Sequence, residues 1–225
     1  MKKLFSFFAI LLFSISQSQE LKNFAVPKGY EKILETKGDL DKDGKDETLI
    51  VFNSDKRNNE DFNRGFQREI FIIKNNNGQL KIWKKNPTVI LGSKTGFSPE
   101  YNTLPEVSIK NGVIIISQSY STNSRHTYTY KHTYRFQNND FYLIGSVVKF
   151  DDTCQFNRFS EINFSTGKVI VDDQYYPCFE DDKEPLEKNF HKEFKYKWKT
   201  LIKMDNFTPG ETVIQIPNSK QYFIY

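Results

Sequence analysis

Carboxylates stand at alternate positions in the run Asp39-Leu40-Asp41-Lys42-Asp43-Gly44-Lys45-Asp46-Glu47, with a glycine directly after the third. Calcium is a hard cation that takes six to eight oxygen ligands at roughly 2.3–2.6 Å. The two-residue spacing lets Asp39, Asp41 and Asp43 turn their side-chain oxygens inward. Gly44 permits the sharp turn, the carbonyl of Lys45 follows, and Glu47 closes the cage at position nine; Asp46 points away or stands in for Glu47. Position twelve, where an EF-hand carries a bidentate glutamate, is Ile50, so no calcium-driven opening of helices is expected. The competing reading is a solvated acidic turn without metal. Three aspartates alternating before a glycine would repel one another if left empty, which favours calcium, at an affinity on the order of 10⁻⁴–10⁻³ M as in extracellular modules.

Other candidate chemistry is sparse. His126 and His132 would sit on one strand roughly 20 Å apart, at about 3.3 Å per residue, and cannot share a zinc ion. The chain has no His-Glu-x-x-His motif, no Gly-x-Ser-x-Gly elbow and no phosphate-binding glycine loop. The pairs Asp151-Asp152, Asp172-Asp173 and Asp181-Asp182 are adjacent, so on a strand their carboxylates face opposite ways, which suits a turn better than a glycosidase. No catalytic residue is assigned. Cys154 and Cys178 lack the spacing of a thiolate metal site and read as a disulfide, worth roughly 3–4 kcal/mol on the chain-entropy model; two free thiols are the alternative.

The elements that must position these groups are strands. Alanine occurs only at Ala9 and Ala25, while phenylalanine, tyrosine, isoleucine and threonine are plentiful. Turn signals at Asn75–Gly78, Lys110–Gly112, Gln137–Asp140 and Ser165–Gly167 separate strand-like runs and predict an antiparallel meander. From Arg125 to Phe136 the chain alternates strictly, with His126, Tyr128, Tyr130, His132, Tyr134 and Phe136 on one face. The tyrosines Tyr128, Tyr130 and Tyr134 either pack in the core or form a ligand platform for a glycan or a protein partner. Phe141 to Phe150 is apolar on both faces and predicts a doubly covered central strand. Asn53 to Gly65 and Gly92 to Pro105 are polar and read as loops. Residues 185–203 fit a strand or a helix, with aromatic content favouring the strand.

The acidic run resembles the Asp-x-[Asp/Asn]-x-Asp-Gly-x-x-[Asp/Glu] calcium loop of FG-GAP and VCBS-type repeats, in which the loop joins two β-strands. The likeness covers Gly38 to about Phe52. Those families stack several copies as propeller blades; this chain carries one, which argues against a propeller. The wider layout resembles a group of uncharacterised exported bacterial β-rich proteins, through Gly38–Gly44, Asn111-Gly112, Tyr128–Phe136 and Phe141–Gly145. That likeness implies one β-rich domain and no known activity.

Residues 1–18 have the layout of a signal peptide: Lys2 and Lys3, an apolar stretch from Leu4 to Ile15 too short to span a bilayer, then Ser16 and Ser18 as cleavage positions. Export to the periplasm or beyond the cell follows, with no transmembrane segment after cleavage. Losing Lys2 and Lys3 lowers the formal charge from +4 to +2, which argues against a nucleic-acid partner. The expectation is a mainly β, single-domain antiparallel meander over residues 19–225, a sandwich or a partly closed barrel. Its expected role is an exported, calcium-stabilised binding or structural module that is not an enzyme, bound to a glycan or an envelope protein. The alternative is a secreted or periplasmic hydrolase with an unlocated site.

Overall fold

Asparagines at the turn positions set the topology. Asn77, Asn111, Asn138 and Asn139 adopt positive φ angles of 52°, 53°, 49° and 59°, the twist that folds one strand tightly back on the next. The computed structural model describes residues 24–59, 63–97, 104–181 and 186–225. The signal-peptide reading of residues 1–18 lies outside them.

Two antiparallel meanders result. The first sheet has the order β1 (Tyr30–Gly38), β2 (Glu47–Asn59), β3 (Asn63–Asn76) and β4 (Gln79–Asn86), with the short β5 (Lys94–Thr95) also on β3. The second runs in strict sequence order through seven strands: β6 (Glu106–Lys110), β7 (Val113–Ser121), β8 (His126–Gln137), β9 (Asp140–Asp152), β10 (Phe156–Asn163), β11 (Lys168–Tyr175) and β12 (Phe190–Lys195). A 3₁₀ turn at Met204–Asn206 leads to a two-stranded ribbon, β13 (Val213–Gln215) and β14 (Tyr222–Ile224). Among the described residues neither large sheet closes into a barrel; the architecture is a β-sandwich.

Alternation fixes which side of each sheet is buried. Leu49, Val51, Ile70 and Ile72 of the first sheet join Ile114, Ile116, Tyr130, Tyr134, Val148 and Val169 of the second in one core. Ile214, Ile216 and Tyr225 of the C-terminal ribbon complete it. The other face of β2 and β3 is apolar too: Ile50, Phe52, Phe71 and Ile73 form a second cluster under Phe24, Tyr30 and Leu80. That double burial explains the unbroken run Leu49-Ile50-Val51-Phe52.

Two expectations need correction, and the preference for a strand over a helix in residues 185–203 holds over a shorter span. Of the stretch read as a loop from Asn53 to Gly65, Asn53–Asn59 and Asn63–Gly65 are strand, because β2 and β3 continue as a paired ribbon in which Arg57 faces Phe66 and Asn58 faces Gly65; residues 60–62 lie outside the described residues. β9 is the central strand of the seven, but only Phe141, Tyr142 and Leu143 are buried consecutively; further along, Lys149 is exposed. Between residues 186 and 203 the chain forms a strand only at Phe190–Lys195, paired with β11, and no helix. Gly92–Pro105 does contain the two-residue β5, and its middle lies outside the described residues.

The sheets approach closely where β1 meets β6. A Cβ on Gly38 would lie 2.4 Å from Ile109 Cγ2 and 2.9 Å from its Cβ, atoms too near the backbone to swing aside. Gly38→Ala should therefore cost about 2 kcal/mol by overpacking, read as a lower urea midpoint with an unchanged slope. A wild-type midpoint would show that β1 and β6 part without cost.

Candidate metal centre

The acidic loop joins β1 to β2 and is anchored from below. Leu40, only 1 % exposed, belongs to the main core, while its neighbours Asp39 and Asp41 turn outward. The loop rests on the β6–β7 turn, where the position of a Gly112 Cβ lies 3.6 Å from the Asp39 carbonyl oxygen. Lys42 and Gly44 take positive φ angles of 64° and 81°, curling the chain around its carboxylates. The Lys42 and Gly44 amides donate to Asp39 Oδ1 and Oδ2 at 2.6 and 2.9 Å, and the Lys45 amide donates to Asp43 Oδ1 at 2.9 Å.

Asp39, Asp41 and Asp43 thereby converge: each offers one carboxylate oxygen to a group whose members all lie within 4.8 Å of one another. That arrangement can hold a metal ion. Glu47 stands behind this triad. Its side chain is 1 % exposed, and its Oε2 accepts the Leu40 amide at 2.8 Å. Burial raises the Glu47 carboxyl above the ordinary glutamate range. Lys45 and Asp46 are exposed on the loop surface.

A residue absent from the sequence reading completes the site. Lys74, at the end of the apolar run on β3, places its ammonium against Asp41, 3.0 Å from Asp43 Oδ2 and 3.4 Å from Glu47 Oε1. Desolvation would lower the pKa of this amine, but hydrogen bonds to Asp41 and Asp43 and the charge of Glu47 outweigh it and hold the ammonium above the usual lysine range. The Lys74 hydrogen bond, first among its causes, holds the Asp43 carboxyl below the ordinary aspartate range. Three carboxylates thus face one ammonium. Asp41 Oδ1 is buried without a hydrogen-bond partner among the described residues.

The other assigned residues fall in two places. Cys154 and Cys178 are bridged, with Cα atoms 4.7 Å apart. Tyr130 and Tyr134 are 1 % and 0 % exposed and belong to the core, so they cannot serve as an exposed platform. Tyr128 is half-buried and lines a cleft between the second sheet and the C-terminal ribbon.

His126 lies beside a carboxylate, with Nε2 2.7 Å from Asp152 Oδ2. Both groups are engaged further: Asn123 Nδ2 lies 3.0 Å from the other imidazole nitrogen, and Asp152 Oδ1 accepts Arg125 and the amides of Cys154 and Gln155. Burial opposes ionisation of Asp152, but these donors hold its carboxyl below the ordinary range.

The site and fold together define an antiparallel β-sandwich with one acidic loop between its first two strands. Comparison with known protein families, with curated proteins and with solved structures yields no match.

Proposed function

We propose that this chain is an exported, calcium-stabilised β-sandwich that serves as a non-catalytic binding or structural module. The convergence of Asp39, Asp41 and Asp43 on a loop pinned by Leu40 carries the reading. An ion there would brace the β1–β2 connection, and the ammonium of Lys74 leaves the three carboxylates it contacts, Asp41, Asp43 and Glu47, under-compensated. Oxygen-only donors favour a hard cation, and calcium over magnesium because the loop is irregular and exposed. The FG-GAP and VCBS resemblance of the loop supports the same ion. The Cys154–Cys178 bridge supports an oxidising compartment, in keeping with export.

Millimolar calcium should raise the melting temperature of the purified protein relative to chelator, and Asp43→Ala should abolish the rise. At an affinity on the order of 10⁻⁴–10⁻³ M, millimolar calcium is at roughly 1–10 times Kd and stabilises by about 0.4–1.4 kcal/mol. Superimposable melting curves in calcium and chelator would reject the metal. A hydrolase, the second reading, would draw on His126 and Asp152; their contacts with Asn123, Arg125 and the disulfide loop fit a clamp at the sheet end better than a base facing a nucleophile.

A further inference from the structure

Cross-strand register builds a second site far from the acidic loop in sequence. On the inner face of the second sheet, Tyr128 faces Phe150, Phe150 faces Arg158 and Arg158 faces Asp173, in one row across β8 to β11. The next row contains Val148, Ser160 and Val171. The ribbon covers part of this face with Ile214 and Ile216 and then turns its Lys220–Ile224 segment towards the row. A cleft of about 440 Å³ remains, with Tyr128, Phe150, Ser160, Arg158 and Asp173 on the sheet side and Tyr222 on the ribbon.

The walls carry a specific chemistry. Tyr128 and Phe150 stack on one another with centroids 4.2 Å apart and planes 13° off parallel, and Tyr120 stacks on Tyr128 from β7, so this ladder gives the cleft an apolar wall whose ring faces are already taken. Tyr222 is 66 % exposed and places a large ring at the cleft. Arg158 is held in place by Tyr175, whose hydroxyl oxygen accepts from Nη2 at 2.6 Å and Nε at 3.2 Å. Asp173 is 8 % exposed, yet its nearest cation, Arg158 Nε, is 3.8 Å away, beyond hydrogen-bond reach. The cleft thus offers one exposed ring and an apolar wall beside a fixed guanidinium donor and a buried carboxylate acceptor.

Those features select among ligand classes. An anion would meet Asp173, and also Glu187 at 3.9 Å from Arg158, so Arg158 and Lys220 give no net positive field. A purely apolar ligand would desolvate Arg158, Asp173 and Ser160 without replacing their hydrogen bonds. A cyclic polyol satisfies both halves: its C–H face stacks on Tyr222 and packs against the apolar lining, and its hydroxyls donate to Asp173 and accept from Arg158. The volume lies low in the roughly 300–1,000 Å³ range of small-molecule sites, which suits one or two rings. We propose that this cleft binds a neutral mono- or disaccharide unit, with Tyr222 as the stacking ring, Tyr128 and Phe150 as apolar lining, and Arg158 and Asp173 as hydroxyl partners. The inference rests on reading the chain as a binding module and names that module's ligand; it does not require the metal.

The test is an array of neutral and acidic oligosaccharides, followed by titration calorimetry of the purified protein with the disaccharides that bind, in calcium and in chelator. Neutral sugars should bind, and Tyr222→Ala, a change at an exposed residue, should weaken them about tenfold. Asp173→Asn should weaken them as well, whereas Tyr196→Ala, at an exposed tyrosine away from the cleft, should leave affinity unchanged. Failure of every neutral sugar to bind, binding restricted to acidic sugars, or full affinity in Tyr222→Ala would overturn the proposal. Sugar binding without a calcium effect on melting would remove the metal and keep the cleft. Calcium stabilisation without sugar binding would do the reverse. Release of a cleaved sugar would keep the cleft and remove the non-catalytic reading.

Discussion

Lys74→Met should destabilise the protein by about 3–5 kcal/mol in chelator, and calcium should restore most of the loss. Among the described residues the ammonium is the one cation paired with Asp41, Asp43 and Glu47, and Glu47 is 1 % exposed. Removing it leaves like charges crowded beside a buried carboxylate, a loss larger than that of an exposed ion pair. Methionine keeps an unbranched, apolar side chain beside Trp83, whose ring lies 5.2 Å from the Lys74 nitrogen, so the packing loss is small. Calcium and the ammonium compete for the same oxygens, and the wild type must surrender its ion pairs when metal binds. The variant has nothing to surrender. Its calcium-dependent rise in melting temperature should exceed that of the wild type, and its calcium affinity should be tighter. A destabilised variant that calcium fails to rescue would mean that Lys74 is the permanent counter-ion of the loop.

Lys74 also shows where sequence stops informing. The loop carboxylates were legible because their chemistry is encoded at spacings of two residues. Lys74 lies thirty-three residues from Asp41, and only strand register joins them: Thr48 faces Ile73, which sets Glu47 beside Lys74. The meander was legible because Asn-Gly and Asn-Asn turns announce reversals locally and the 125–136 stretch alternates without a break. The β2–β3 ribbon was misread for the converse reason. Around Asp55–Arg57 both faces meet water, so the strand carries no hydrophobic period to detect. The short β12 is an edge strand, buried on neither side for long, and its sequence was ambiguous on the same ground. The cleft was half-visible. Tyr128 was singled out, but Arg158 and Asp173 join it only through the pairing of four strands, and Tyr222 only through the path of the C-terminal ribbon.

Acid should destabilise the protein through one histidine. His132, on the aromatic face of β8, is 0 % exposed, stacked beside Tyr130 and edge-on to Phe207. Neither ring nitrogen has a hydrogen-bond partner among the described residues, and burial alone pushes its pKa from 6.5 down to about 3. The unfolded chain therefore binds a proton below pH 6.5 that the folded chain refuses until about pH 3, so stability falls with pH across that window. Between pH 7 and pH 4 the loss from this residue is about 3 kcal/mol, at about 1.4 kcal/mol per pH unit below the unfolded value. His132→Leu removes the titrating ring together with two unsatisfied polar atoms, so at pH 7 it should cost little. At pH 4 the variant should be more stable than the wild type by nearly the whole 3 kcal/mol. Asp140, whose pKa is held down to about 2 by Lys84 and Lys203 against the cost of burial, and Asp152 also lose stability in acid. Both do so equally in the two proteins, so the difference between urea midpoints at pH 7 and pH 4, measured in chelator, isolates His132. Parallel acid losses in the wild type and His132→Leu would show that the imidazole gains a proton inside the fold and that the core around Tyr130 and Phe207 admits water.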